Sequence, residues 1–141
     1  MNKHHHKAIW IMIAIHQLMG FIWYSPAFFL SPWLAGQGKT VEQTNMKDPF
    51  PFIWDIATTI LAAYTLSWLT NKLAAHTFVK GTWVGMLVFF GIILQAIAPH
   101  YKFLGMPDTV LFIDLGFPFL WTIVTTGVLA AWRKKDKEQI V

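Results

Sequence analysis

The sequence predicts an all-α integral membrane protein, a four-helix bundle with both termini in the cytoplasm. Three observations carry that prediction. Charged residues make up 13% of the 141 and hydrophobic residues 55%, whereas a soluble domain averages about 25% charged. Four apolar runs, residues 8–24, 51–70, 82–98 and 109–132, approach the length of a bilayer crossing, which takes about 17–25 residues. A water-soluble bundle would carry a polar face on every helix, and these runs carry none. Finally, Trp10, Trp23, Trp54, Trp68, Trp83 and Trp132 fall near the ends of runs, with Trp121 mid-run and Trp33 between runs. Indole prefers the headgroup boundary, where the ring is in an apolar layer and the N–H is wet.

Each element has a local reason. The first run follows Lys3-His4-His5-His6-Lys7, a stretch read as a solvated terminus. That charged-then-apolar order resembles a signal peptide, but Trp23-Tyr24-Ser25-Pro26 is bulky where cleavage needs small residues. The run is therefore read as a retained span. Ser25-Pro26 and Ser31-Pro32 stop the first helix, because a residue before proline avoids the helical region. Gly36-Gln37-Gly38-Lys39 reads as a flexible turn, and Asp48-Pro49-Phe50-Pro51 delivers the chain into the second helix. Ala98-Pro99 ends the third helix, and Gly105-Met106-Pro107-Asp108 turns into the fourth. Residues 133–141 form a charged tail, so residues 1–141 make one transmembrane domain. Gly81-x-x-x-Gly85 and Gly127-x-x-x-Ala131 are small-residue pairs that let helices approach closely, within one chain or between two.

Orientation follows from the cations. Lys3, Lys7, Lys72, Lys80, Arg133, Lys134, Lys135 and Lys137 would lie on one side, and Lys39, Lys47 and Lys102 on the other. The richer side faces the cytoplasm. The net charge of +4 is thus read as a topology signal and not as a nucleic-acid surface. With no cysteine, disulfides and thiol chemistry are excluded.

Polar residues inside the runs point to function, since a charge at the bilayer centre costs about 2.5–3.5 kcal/mol on insertion scales. Asp55 and Asp114 lie roughly 6 and 8 Å inside the outer ends of their runs at 1.5 Å per residue. Gln95 is close to the outer end of the third run, and His16 lies near the middle of the first, about 12 Å below Tyr24. Each run supplies one such residue, which predicts one shared site reached from outside. Trp23 shares a face with His16 at i+7 and would roof it, while Tyr24 points about 100° away. The candidate ligand-binding residues are therefore His16, Trp23, Asp55, Gln95 and Asp114.

The readings of this site are a proton, cation or small-polar-ligand site, or hydrogen-bonded structural glue. A metal site from His16, Asp55, Asp114 and His100 is a further alternative. No nucleophile motif, phosphate loop, dinucleotide fingerprint or metalloprotease motif is present, so no catalytic residue and no cofactor is assigned. An enzyme acting on lipid would rest only on carboxylates near an interface. The expected partners are the lipid bilayer and a second copy or another membrane protein. The main functional alternative is a structural or partner-binding subunit without a ligand site.

At Gly20-Phe21-Ile22-Trp23-Tyr24-Ser25-Pro26-Ala27-Phe28-Phe29 the chain resembles a family of small bacterial membrane proteins, the domain of unknown function 1761. Trp33, the stretch 101–107 and Phe112-Ile113-Asp114-Leu115-Gly116 extend the resemblance over nearly the whole chain. It implies a four-span protein of the bacterial inner membrane and brings no established activity.

Overall fold

The computed structural model describes residues 6–138, with side chains as far as Trp132. The His4–His6 tract and the charged tail, apart from His6, lie outside the described side chains. The chain is all-helical, and no strand occurs among the described residues. Its helices are α1 (His6–Trp23), α2 (Leu30–Gln37), α3 (Pro49–Lys72), α4 (Phe78–Phe103) and α5 (Asp108–Glu138), with a 3-10 turn at Val41–Gln43. Three of them, α3, α4 and α5, are long and apolar enough to cross a membrane. α1 is not among these three, since its 18 residues include His6, Lys7, His16 and Gln17.

The bundle is arranged around α5. Half of its spanning window is buried, 50%, against 22% for each of α3 and α4. One core joins Ile9 and Ile13 of α1, Ala63 and Leu66 of α3, and Trp121 and Leu129 of α5. A second sets Phe89 of α4 against Leu111 and Leu115 of α5. Outward-facing side chains include Leu18, Leu61, Leu87, Ile92 and Phe112, all more than 60% exposed. All but Leu18 lie on helices apolar enough to cross a membrane, and an exposed apolar surface of this kind suits lipid.

α4 and α5 meet backbone to backbone. A Cβ on Gly81 would come within 2.3 Å of the Thr126 carbonyl oxygen and 2.7 Å of Ala130 Cβ. One on Gly85 would meet Thr126 Oγ1 at 2.5 Å and Ile123 Cα at 2.9 Å. The small-residue pairs therefore work within one chain. The partner surface is Thr122, Thr126, Gly127 and Ala130, so the register differs by one residue from the Gly127–Ala131 expectation.

Two expected breaks do not occur. Ser31-Pro32 does not stop a helix but lies in the first turn of α2, where backbone N–H groups have no intrahelical partner and proline costs nothing. α2 ends at Gly38, whose φ of +63° closes the helix while Lys39 N–H donates to the Leu34 carbonyl. Gly36 seats it on α5, because any Cβ there would be 2.4 Å from Val110 Cγ2. Nor does Pro99 end α4. The helix runs through it to Phe103, and Gly105, at φ +65°, makes the turn instead. Met106 N–H donates to the Tyr101 carbonyl there. The extra turn has a consequence, since it carries Tyr101 to α5.

Candidate functional site

The polar groups form two clusters and not one. The first surrounds Asp114 on α5. Tyr24 hydroxyl donates to Oδ1 at 2.6 Å, and Tyr101 hydroxyl donates to Oδ2 at 2.8 Å. Trp33 Nε1–H reaches both carboxylate oxygens, at 2.9 and 3.1 Å. The donors come from the end of α1, from α2 and from the last turn of α4. A carboxylate accepts about four hydrogen bonds, so three donors nearly saturate it. Beside it, Trp23 Nε1–H donates to the Ile113 carbonyl at 3.1 Å. That carbonyl is one residue before the one that Pro118 leaves without its usual i+4 donor. The Trp23 indole lies on Gly116, where a Cβ would come within 2.9 Å of the ring.

The second cluster joins α1 to α3. Gln17 Nε2–H donates to Asp55 Oδ2 at 2.9 Å, and His16 Nδ1 lies 3.6 Å from the same oxygen. His16 Nδ1 is also 3.2 Å from Thr59 Oγ1 and 3.3 Å from Gln17 Nε2. The imidazole is wedged edge-on between Phe117 and Trp121, each centroid at 4.9 Å. Gln17 Nε2, Thr59 Oγ1 and an Asp55 carboxylate oxygen thus converge on one ring nitrogen of His16. Asp55 is half exposed, 47% by side chain, while His16 is 12% exposed. No Lys or Arg among the described residues pairs with Asp55.

Asp55 opens onto a cavity of about 570 Å³ between α1, α3 and the α2–α3 connection. Its polar corner is His16, Gln17 and Asp55, and its walls include Phe21, Phe52, Phe117, Tyr24 and Trp33. Thr44, Asn45 and Met46 complete the lining from the connection. Tyr24 and Trp33 thus touch both clusters: they line the cavity and hold Asp114 behind it.

The family model described as a protein of unknown function (DUF1761) matches residues 8–130. The chain belongs to the DUF1761 family. No curated protein and no solved structure matches it.

Within this DUF1761 chain the expected shared site divides. His16 and Asp55 come together, but Asp114, the residue closest to Asp55 in expected depth, is held apart by Tyr24, Trp33 and Tyr101 and does not line the cavity. Gln95 is exposed on α4 and also lies outside the lining. Trp23 does not roof His16, because Gly116 gives its indole a seat on α5 and Tyr24 takes the place in the wall instead. The four-residue metal alternative is not assembled, and among the described residues no three His, Asp or Glu side chains gather as metal ligands. The residues missed in sequence include Gln17, Trp33, Tyr101 and the hydroxyl of Tyr24. Gln17 carried a usable signal, being a second polar side chain beside His16 within an otherwise apolar run.

Proposed function

We propose that this DUF1761 protein is a four-span protein of the bacterial inner membrane, with both termini cytoplasmic. Its outer-half cavity binds or conducts a proton, cation or small polar ligand. The observation that supports the reading is Asp55, half exposed beside His16 in the wall of a cavity about 570 Å³ in volume. Ligand pockets usually span about 300–1,000 Å³.

The fourth crossing is α1. The two residues that lower its hydropathy in mid-helix, His16 and Gln17, turn inward to Asp55, while Ile11, Leu18, Phe21 and Ile22 are exposed. Exposed Trp10, Trp68 and Trp83 fit one headgroup layer and Trp54 the other, and Lys72 Nζ lies 5.9 Å above the Trp68 ring. Spans of about 51–70, 82–98 and 109–132 correspond to α3, α4 and α5, and one of about 8–24 runs one residue past α1.

Two cysteine substitutions in this cysteine-free chain test sidedness and access together. Gly20→Cys places a thiol in the cavity wall, at ordinary contact distance from Phe117, 3.7 Å. In intact cells a membrane-impermeant methanethiosulfonate reagent is expected to label Gly20→Cys from outside. Leu73→Cys, beyond the inner end of α3, is expected to label only after permeabilisation. Labelling of Leu73→Cys from outside reverses the topology. A Gly20→Cys thiol that stays unreactive even in detergent removes the cavity, and the structural or partner-binding subunit then becomes the better reading.

A further inference from the structure

The cavity combines three properties that select for one kind of occupant. It has a carboxylate at one corner, Asp55, whose nearest titratable neighbour is a histidine that can be neutral. It has aromatic walls, in which Phe21 and Phe52 stack at 6.0 Å and Tyr24 and Trp33 meet edge to face at 5.4 Å. And it has a second carboxylate, Asp114, one ring behind the wall and bonded by neutral donors. Ring faces are negative, so the carboxylate and the aromatic walls together favour an occupant that carries positive charge. An anion would face the Asp55 carboxylate directly, whereas a cation would gain it as a partner.

Size and ligand count narrow the class further. A water takes up about 30 Å³, so the cavity is far larger than a bare inorganic ion. One carboxylate beside one imidazole offers too few ligands for a divalent cation, and no group of three such side chains gathers among the described residues. A single positive charge on an apolar body matches both the corner and the walls, through ion pairing at Asp55 and cation–π contact with the rings.

We infer that the cavity between α1 and α3 takes a hydrophobic organic monocation, an amine or quaternary ammonium with an apolar body, with Asp55 as its counter-ion. The inference rests on the outward-cavity reading above, and the experiment separates the two. The full chain carrying Gly20→Cys, in lipid nanodiscs, is labelled with uncharged methyl methanethiosulfonate, with and without two probes of the same shape. One is benzyltrimethylammonium and the other its carbon isostere, neopentylbenzene. The cation is expected to slow labelling about tenfold, and the isostere less than about twofold although it enriches more in lipid, a contrast within the usual range of cation–π and ion-pair effects. In the Gly20→Cys, Asp55→Asn double variant the protection is expected to vanish while the unprotected labelling rate stays the same, which shows that the cavity remains folded.

Equal protection by both probes overturns the charge selection and leaves the cavity reading standing. No protection by the cation, with Gly20→Cys still reactive, overturns the organic-cation assignment. Protection that persists in Asp55→Asn overturns Asp55 as counter-ion. Failure of Gly20→Cys to label without any probe overturns the cavity reading itself.

Discussion

Asp114→Ala is expected to lower stability by about 3 kcal/mol, the largest single loss among the polar residues. The substitution removes the acceptor of Tyr24, Tyr101 and Trp33 at once and leaves three donors without a partner. Hydrogen bonds between transmembrane helices average about 0.6 kcal/mol and reach about 1.7, and those to a charged group lie toward the upper end. Removing one donor should cost less, because the carboxylate keeps the other two: about 1 kcal/mol for Tyr24→Phe or Tyr101→Phe. Unfolding in mixed micelles, followed by circular dichroism, gives the order. Asp114→Ala melting with the wild type would disprove the latch. A smaller loss in Asp114→Ala than in Tyr24→Phe would show that Tyr24 holds something other than Asp114.

The latch explains why the Trp-Tyr-Ser-Pro segment is built as it is. Trp23 packs on Gly116 and Tyr24 reaches Asp114, so adjacent side chains engage the same turn of α5. Ser25-Pro26 then ends α1, and the chain turns back: Phe29 N–H donates to the Trp23 carbonyl and Leu30 N–H to that of Ser25. That turn starts α2 and brings Trp33 to the same carboxylate. Four aromatic residues from three helices are thereby fixed to one face of α5. The wall of the cavity is held by bonds that do not depend on its occupant.

Much of this was legible in the chain, and the limits have physical causes. Apolar runs placed the long helices because in lipid every backbone group must be satisfied within its own segment. Rise per residue is fixed, so depth along a helix was legible, but it matched Asp55 most closely with Asp114 and did not single out His16 as its neighbour. Rotation about the axis was not legible. Trp23 and Tyr24 differ by about 100°, and which one faces the cavity is decided by the missing side chain at Gly116, far along the chain. α2 was hidden for a related reason. Leu30–Gln37 contains Ser-Pro and a glycine and reads as a turn, yet Leu30 and Leu34 are buried and Gly36 fits Val110, so packing holds a helix that local preference alone would not. Pro99 misled because proline weakens a helix without ending it when the turn beyond is tied down, and here Tyr101 is tied to Asp114.

Gly85→Leu is expected to destabilise by about 3 kcal/mol, at the upper end of the usual overpacking cost of about 1–3 kcal/mol. Two of the three atoms that a Cβ would meet are backbone, Ile123 Cα at 2.9 Å and the Thr122 carbonyl oxygen at 3.0 Å. They cannot rotate away, so α4 and α5 must separate and uncover Val84 and Ala130. Gly91→Ala on the same helix is the control. Nothing lies within 4 Å of its added Cβ, so it should be neutral or, through helix propensity, stabilising by up to about 1 kcal/mol. Equal unfolding midpoints for the two variants would disprove the backbone contact. The latch should feel little of this change. Tyr101 lies about 24 Å further along α4 at 1.5 Å per residue, beyond a π turn at Phe89–Ile93 and beyond Pro99, both places where a helix bends readily. Gly85→Leu and Tyr101→Phe should therefore add within about 0.5 kcal/mol. If the Tyr101→Phe loss instead disappears in the Gly85→Leu background, α4 docks as one rigid body and the glycine contact near its start is what delivers Tyr101 to Asp114.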